Sequence, residues 1–418
     1  MKKEFSILFA LLLFSSFLFA QNIARVNQVT DSLCAPYMNG RGYTNKGDKI
    51  AANFIKNQFD KAGLKYFKDQ AFQKFNLDVN VFEREVSLKI DGKELKVGED
   101  FIVHASSPSS VASGKIIYLD SATIHNPNSW LLQRKIEKSI VAYRAKDEQA
   151  VFKMPKTFLD KIMQAHAYLV ISKKLTHWIS KSQSGKPKLL ILASKFDEKA
   201  RKASWKIHAQ MRYGYKTQNV IGYLEGTEKL DSFIVFTAHY DHLGNMGEAY
   251  FPGANDNASG VAMLIELANY YAQNPPKFSV AFIAFGAEEA GLVGSRYYTA
   301  LPFFPLQSIK FLTNLDLFAT GEKGMTVVNG SIFKKEFELL KSINADKNYL
   351  SNIATRGEAA NSDHYFFYLA GVRCFFMYLQ GAWTNYHDVA DKTPIPYSKF
   401  KESFLLIKDF NNALMNEK

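Results

Sequence analysis

Two cysteines, Cys34 and Cys374, are all that the 418 residues contain, so no disulfide framework holds this chain together. Their separation in sequence does not say whether they pair, and Cys374, inside the apolar run GVRCFFMYL, reads as a buried thiol. After the first twenty residues no apolar run is long enough to span a membrane. A dense arginine–aromatic stripe is also missing, so the formal charge of +12 reads as a generally basic surface and not as a nucleic-acid site. Internal repeats and low-complexity tracts are absent, which excludes a solenoid or a disordered linker protein. What remains is 47% hydrophobic and 22% charged, a globular composition long enough for two domains.

The opening MKKEFSILFALLLFSSFLFA combines a basic start, an apolar stretch and a small residue at Ala20. It reads as a cleavable secretory signal over residues 1–20, with Leu18 an unusual residue at the third position before the cut. No cysteine follows Ala20, which disfavours a lipid-anchored form. The expectation is an exported protein, periplasmic or extracellular, without stable membrane insertion after cleavage.

Beyond the signal, Ile50, Ala51, Phe54, Ile55 and Phe59 recur at helical spacing within TNKGDKIAANFIKNQFDKAG. VFEREVSLKIDGKELKVGEDF alternates about an Asp-Gly turn and predicts a hairpin. From residue 85 to 205 short apolar segments (KIIYL, SIVAYR, AYLVIS, LLILAS) alternate with polar ones. His104, His125, His166 and His177 are scattered there and read as surface or capping residues. This stretch is expected to form a small β-rich α+β domain inserted into a main domain of residues 22–84 and 206–418. From Asn219 onward NVIGYLEG and FIVFTAH read as strands. The chain then alternates helices (GVAMLIELANYYAQ, GLVGSRYYTALP) with strands (FSVAFIAF, IKFLTNLDL, RCFFMYLQG), and a last helix runs from Tyr397 to Asn416. That predicts an α/β fold, a mixed and mainly parallel sheet covered by helices on both faces.

Five features fall at the ends of these strands or in the loops after them: AHYDHLG, GANDNASG, GAEEAG, NLDLFATG and NYHDVADK. Each alone has a bland reading as a turn or a solvated charge. Together they offer two histidines, His239 and His387, and the carboxylates Asp241, Asp256, Glu288, Glu289 and Asp316. Histidine with carboxylate suits zinc, and sharing one carboxylate makes two sites of three protein ligands, each with a place for water. A further carboxylate that does not bind metal is needed to move protons, and one of the Glu288–Glu289 pair can serve.

In order and wording these motifs resemble the co-catalytic zinc aminopeptidases, peptidase family 28 of the metallopeptidases, over about residues 22–79 and 219–418. The resemblance implies a zinc exopeptidase-like fold and two Zn2+ per chain. One ion would be held by His239, Asp256 and Asp316, the other by Asp256, Glu289 and His387. It makes Glu288 the general base and acid, and Asp241 the carboxylate that orients His239; His242 is a pocket residue. Ser362, Asp363 and His364 of NSDHYFF match a further family signature near the substrate pocket. Where some members carry a tyrosine three residues before that serine, this chain has Ala359, so an oxyanion donor must come from elsewhere. The inserted region resembles, more loosely, a protease-associated domain. The implied activity is removal of N-terminal residues from peptides with a free N-terminus. Three alternatives stay open. A carboxypeptidase or dipeptidase would need a cationic pocket, for which Arg296, Arg356 and Arg373 are candidates; a glutaminyl cyclase would use a single zinc; a binding relative would have lost its metals.

Overall fold

A computed structural model describes residues 22–416 of the chain; the stretch read as a signal lies outside them. Alternation within single strands sets the layers. On the strand Lys229–His239, Ile234, Phe236 and Ala238 join one apolar cluster while Phe233 and Val235 join another. Successive side chains on a strand point to opposite faces, so a strand with apolar residues on both faces must be covered twice. The first face packs against helices Ile23–Leu33, Gly47–Lys61, Gly260–Gln273 and Phe400–Asn416, and the second against Val293–Ala300 and His364–Leu369.

The covered sheet has eight strands, in the order Phe72–Val81, Gln210–Leu224, Phe278–Phe285, Lys229–His239, Ile309–Leu315, Cys374–Gln380, Gly324–Val328, Ile353–Thr355. The four strands from Phe278–Phe285 to Cys374–Gln380 are mutually parallel. Their carboxyl ends therefore lie along one edge, where His239 closes its strand and the loops that follow carry Glu288–Glu289, Asp316 and His387. Function in such sheets gathers at that edge. The mixed α/β architecture read from the sequence is the one found.

The inserted region forms a second eight-stranded sheet from strands between Val86 and Ile207. Its first hairpin, Val86–Ile90 with Lys93–Leu95, turns at Asp91-Gly92, both with positive φ, as a two-residue turn of matching twist requires. The chain enters this unit through Phe72–Val81 and leaves through Gln210–Leu224, which pair antiparallel. Leu243, Met246 and Phe251, from the loop after the central site strand, join the insert's core beside Leu88 and Trp205. The two units thus share apolar packing through the loop that follows His239.

Three details differ from the sequence reading. The last helix begins at Phe400, because Tyr397 and Lys399 adopt positive φ and cannot extend it. The strands Gly324–Val328 and Ile353–Thr355 widen the sheet, with helix Lys334–Lys347 between them. Cys34 and Cys374 are both free and buried, and burial pushes each thiol up to about 12. Among the described residues no helix is long and apolar enough to cross a membrane.

Candidate active site

The loop Gly253–Ser259 is the structural hinge of the site. Gly253 has φ +60, and a Cβ there would lie 2.2 Å from the Asp256 carbonyl oxygen and 2.4 Å from the His242 ring, so only glycine fits. The Asn255 side-chain oxygen accepts the Ala319 N–H at 2.9 Å, Ser259 Oγ accepts the Phe318 N–H at 2.8 Å, and Asn257 Nδ2 donates to the Leu315 carbonyl at 3.0 Å. These bonds staple the loop bearing Asp256 to the strand end bearing Asp316. From outside, the Asp391 carboxylate accepts the N–H groups of Asn255 and Asp256 at 2.9 and 3.0 Å. The buried Arg41 guanidinium donates to the carbonyls of Pro252, Gly253 and Asp256.

Held this way, the two oxygens of Asp256 face different histidines. Oδ1 lies 3.3 Å from His239 Nε2 and Oδ2 lies 3.0 Å from His387 Nε2. His239 Nε2 is also 3.4 Å from Asp316 Oδ2, and His387 Nε2 is 3.2 Å from Glu289 Oε2. Zinc bonds of about 2.0–2.2 Å set the edges of a tetrahedral ligand shell at about 3.3–3.6 Å. The contacts are close to such edges, and Asp316 Oδ1 is buried without a hydrogen-bond partner. The charge balance points the same way. Asp241, Asp256, Glu288, Glu289, Asp316 and Asp363 crowd around His239, His242 and His387, and buried charge in such excess calls for a cation. The donor set, imidazole with carboxylate, fits a pair of zinc ions.

The electrostatics follow from the crowding. Burial opposes protonation of both histidines, but the charges of Glu288 and Asp316 hold His239 well above the imidazole range, and those of Glu289 and Asp256 lift His387 to about 11. Burial works against ionising Glu289, and the His387 charge and hydrogen bonds overcome it, to about 2. Burial raises Glu288 well above the carboxylate range and carries Asp241 and Asp363 to about 7.

His239, Asp256, Asp316, Glu289 and His387 meet in one cluster. Glu288 lines a cavity of about 240 Å3 that reaches His239, Asp256, Asp316 and His387. The two glutamates separate by a turn and not by strand alternation, since the strand ends at Phe285 and the Gly291 and Leu292 N–H groups fold back onto the Glu288 carbonyl. His242 can be grouped with Asp256 and Glu289 as a third-ligand candidate. Its Nδ1, however, lies 2.7 Å from Glu289 Oε1, an ordinary hydrogen-bond length, whereas His387 sits at ligand-edge distance from both carboxylates. His242 therefore braces Glu289.

Asp241 differs from its sequence reading. His239 Nδ1 bonds the backbone carbonyl of Asp241 at 3.2 Å, while the carboxylate is 3.9 Å away, beyond hydrogen-bond reach. That carboxylate instead accepts the N–H groups of Glu288 and Glu289 and the Tyr43 hydroxyl, so it orients the glutamate turn. His177 also departs from expectation. It is buried, its carbonyl accepts from His387 Nδ1 at 3.0 Å, and its N–H donates to the His387 carbonyl at 3.0 Å. The inserted domain thus fixes the tautomer and pose of a candidate ligand whose own φ is +54. Of NSDHYFF, Ser362 Oγ reaches Asp316 Oδ2 at 3.3 Å, and His364 is buried against Phe376. Tyr386, unremarked in the sequence, stacks on His387 and lines the cavity.

The parallel-sheet edge thus converges two histidines on the two oxygens of one carboxylate, an arrangement whose donors suit a metal ion. Residues 219–410 match the description Peptidase family M28. Aminopeptidase YwaD of Bacillus subtilis (strain 168) is 32% identical over 160 residues, 37% of this chain and 34% of that protein. The matched stretch is thus about a third of that relative's length. Among solved structures, BSAP, a zinc aminopeptidase from Bacillus subtilis, superposes with TM-score 0.67 at 18% identity, covering 94% of this chain and 93% of that one. A peptidase M28 precursor from Shewanella amazonensis SB2B gives TM-score 0.70 at 16% identity, covering 94% of each chain. At such identities the superpositions speak for the fold. Over residues 219–410, somewhat under half of its length, the chain is similar to peptidase family M28.

Proposed function

We propose that this chain is an exported zinc aminopeptidase that removes N-terminal residues from peptides, with two Zn2+ per chain held by His239, Asp256 and Asp316 and by Asp256, Glu289 and His387. The observation that carries the reading is the single carboxylate of Asp256 presenting one oxygen to each histidine. When bound, the zinc pair would supply Lewis acidity toward the scissile carbonyl and make a water easier to deprotonate. The chain's own residues account for the rest. Glu288 faces the cavity and is engaged with neither histidine at hydrogen-bond distance, so it is free to take a proton from the attacking water and pass it to the leaving amine. Asp241 holds the Glu288 backbone, fixing where that carboxylate points. The Tyr386 hydroxyl stays protonated, because burial and the nearby charge of Asp256 raise it above the usual phenol range. It can donate a hydrogen bond to the developing oxyanion, the role Ala359 cannot fill. The inserted domain, read as protease-associated, packs Trp178 edge-on against His387, with ring centroids 4.4 Å apart.

Hydrolysis of Leu-p-nitroanilide by the purified, zinc-loaded chain tests this reading. Cleavage that is lost on chelation, restored by zinc and absent for the N-acetylated substrate is expected. Equal cleavage of the blocked substrate would point to another peptidase class. One zinc per active chain by elemental analysis would favour the glutaminyl-cyclase alternative.

A further inference from the structure

Of the three arginines raised as carboxylate partners, the structure separates one. Arg373 pairs with Glu336, and Arg296 lies over the Phe366 ring at 6.0 Å, outside the site cavity. Arg356 lines the same cavity of about 240 Å3 as His239, Glu288 and His387. Its backbone N–H is fixed to the Val327 carbonyl just past the edge strand Ile353–Thr355. Its side chain reaches back over Gly324–Val328, and Nη1 donates to the Tyr378 hydroxyl at 3.2 Å. That is its one side-chain hydrogen bond, and it forms no acid pair among the described residues. A guanidinium carries five N–H donors in a fork that matches a carboxylate, so most of that capacity is left for a partner.

The placement of charge around the cavity is uneven. Asp256, Glu288 and Asp316 line it beside the histidines, where the zinc ions would bind. The wall formed by Arg356, Tyr378 and Asn361 bears no acid. With the acidic end neutralised by metal, that wall is a fixed positive site within one cavity of the reacting centre. We propose that Arg356, braced by Tyr378, receives a substrate carboxylate, so that the enzyme favours short peptides carrying an acidic group. The source is either an acidic N-terminal side chain or the free carboxylate of a dipeptide. The inference rests on the aminopeptidase reading.

Two substrate pairs test it in the zinc-loaded enzyme: Glu- against Leu-p-nitroanilide, and Leu-Gly against Leu-Gly-amide. The Arg356→Ala variant is expected to lower kcat/KM for the carboxylate-bearing member of one pair about 10- to 100-fold more than for its neutral partner. The pair that responds identifies the source. Arg356→Lys should recover only part, since an ammonium cannot reproduce the fork. Equal losses within both pairs would overturn the assignment and leave Arg356 a surface brace for Tyr378. If the wild type cleaves none of the four, the aminopeptidase reading fails. Calorimetric binding of Leu-amide, Glu-amide and Leu-Gly to Glu288→Gln and to Glu288→Gln/Arg356→Ala still judges Arg356. Selective weakening of one acidic ligand supports it, and uniform affinities reject it.

Discussion

Glu288 and Glu289 are adjacent, both glutamates and both enclosed, yet their surroundings give them opposite work. Glu289 spends its two oxygens on His242 and His387 and is held ionised near the bottom of the carboxylate range. Glu288 faces the cavity, and burial holds it high. Replacing Glu288 by glutamine keeps the shape and removes proton transfer, so kcat should fall about 10²- to 10⁴-fold with zinc content unchanged by elemental analysis. Full activity in that variant would reject its role. Tyr386→Phe removes one donor and little volume; a fall in kcat of about 10²- to 10³-fold with KM nearly constant is expected if its hydroxyl meets the oxyanion. A change confined to KM would place Tyr386 in binding alone.

At the scale of elements, the parallel strands explain why so much of the site could be read from the sequence. His239, Asp316 and the glutamate pair each lie at or just beyond the end of a mainly apolar strand, and parallel strands must end on one edge. The loop contacts left no such mark. His177 acts through its backbone N–H and carbonyl, which every residue but proline carries in full, so nothing in its identity announced the link to His387. Arg41 and Asp391 act on backbone groups far away in sequence, and no spacing rule connects them to Gly253–Ser259. Asp241 shows the limit from the other side. Its position was legible, but whether the carbonyl or the carboxylate met His239 depended on the turn geometry. The His177 link can be tested without relying on turnover. His177→Pro removes the N–H that bonds the His387 carbonyl and disturbs the carbonyl that accepts from Nδ1. Zinc affinity by chelator competition should weaken about 10- to 100-fold, the usual consequence of losing an outer hydrogen bond to a ligand. An unchanged affinity would mean that the inserted domain only borders the site.

For the whole molecule, the question is whether metal and inserted domain are add-ons or parts of one cooperative unit. Leu243, Met246 and Phe251 pack into the insert's core from the loop that follows His239, and the insert in turn grips His387. Stripping metal should therefore be felt beyond the main sheet. Without a cation, the carboxylates around Asp256 repel one another in a buried cluster. At free zinc 100-fold above Kd, binding to one site stabilises the fold by about 2.7 kcal/mol. For a chain of this size, with about 2 °C or less per kcal/mol, that is a drop in Tm of at most about 5 °C on chelation. The tryptophans allow the two regions to be watched separately: Trp130, Trp178 and Trp205 belong to the inserted region, while Trp383 bonds Asp391 behind the metal loop. If the shared core couples the units, fluorescence, weighted toward the insert, and calorimetry, which sees the whole chain, will report one transition, moved by chelator to the same extent. An insert signal that stays put while the calorimetric transition shifts would show two independent domains, and the contact between His177 and His387 would then be too weak to carry coupling.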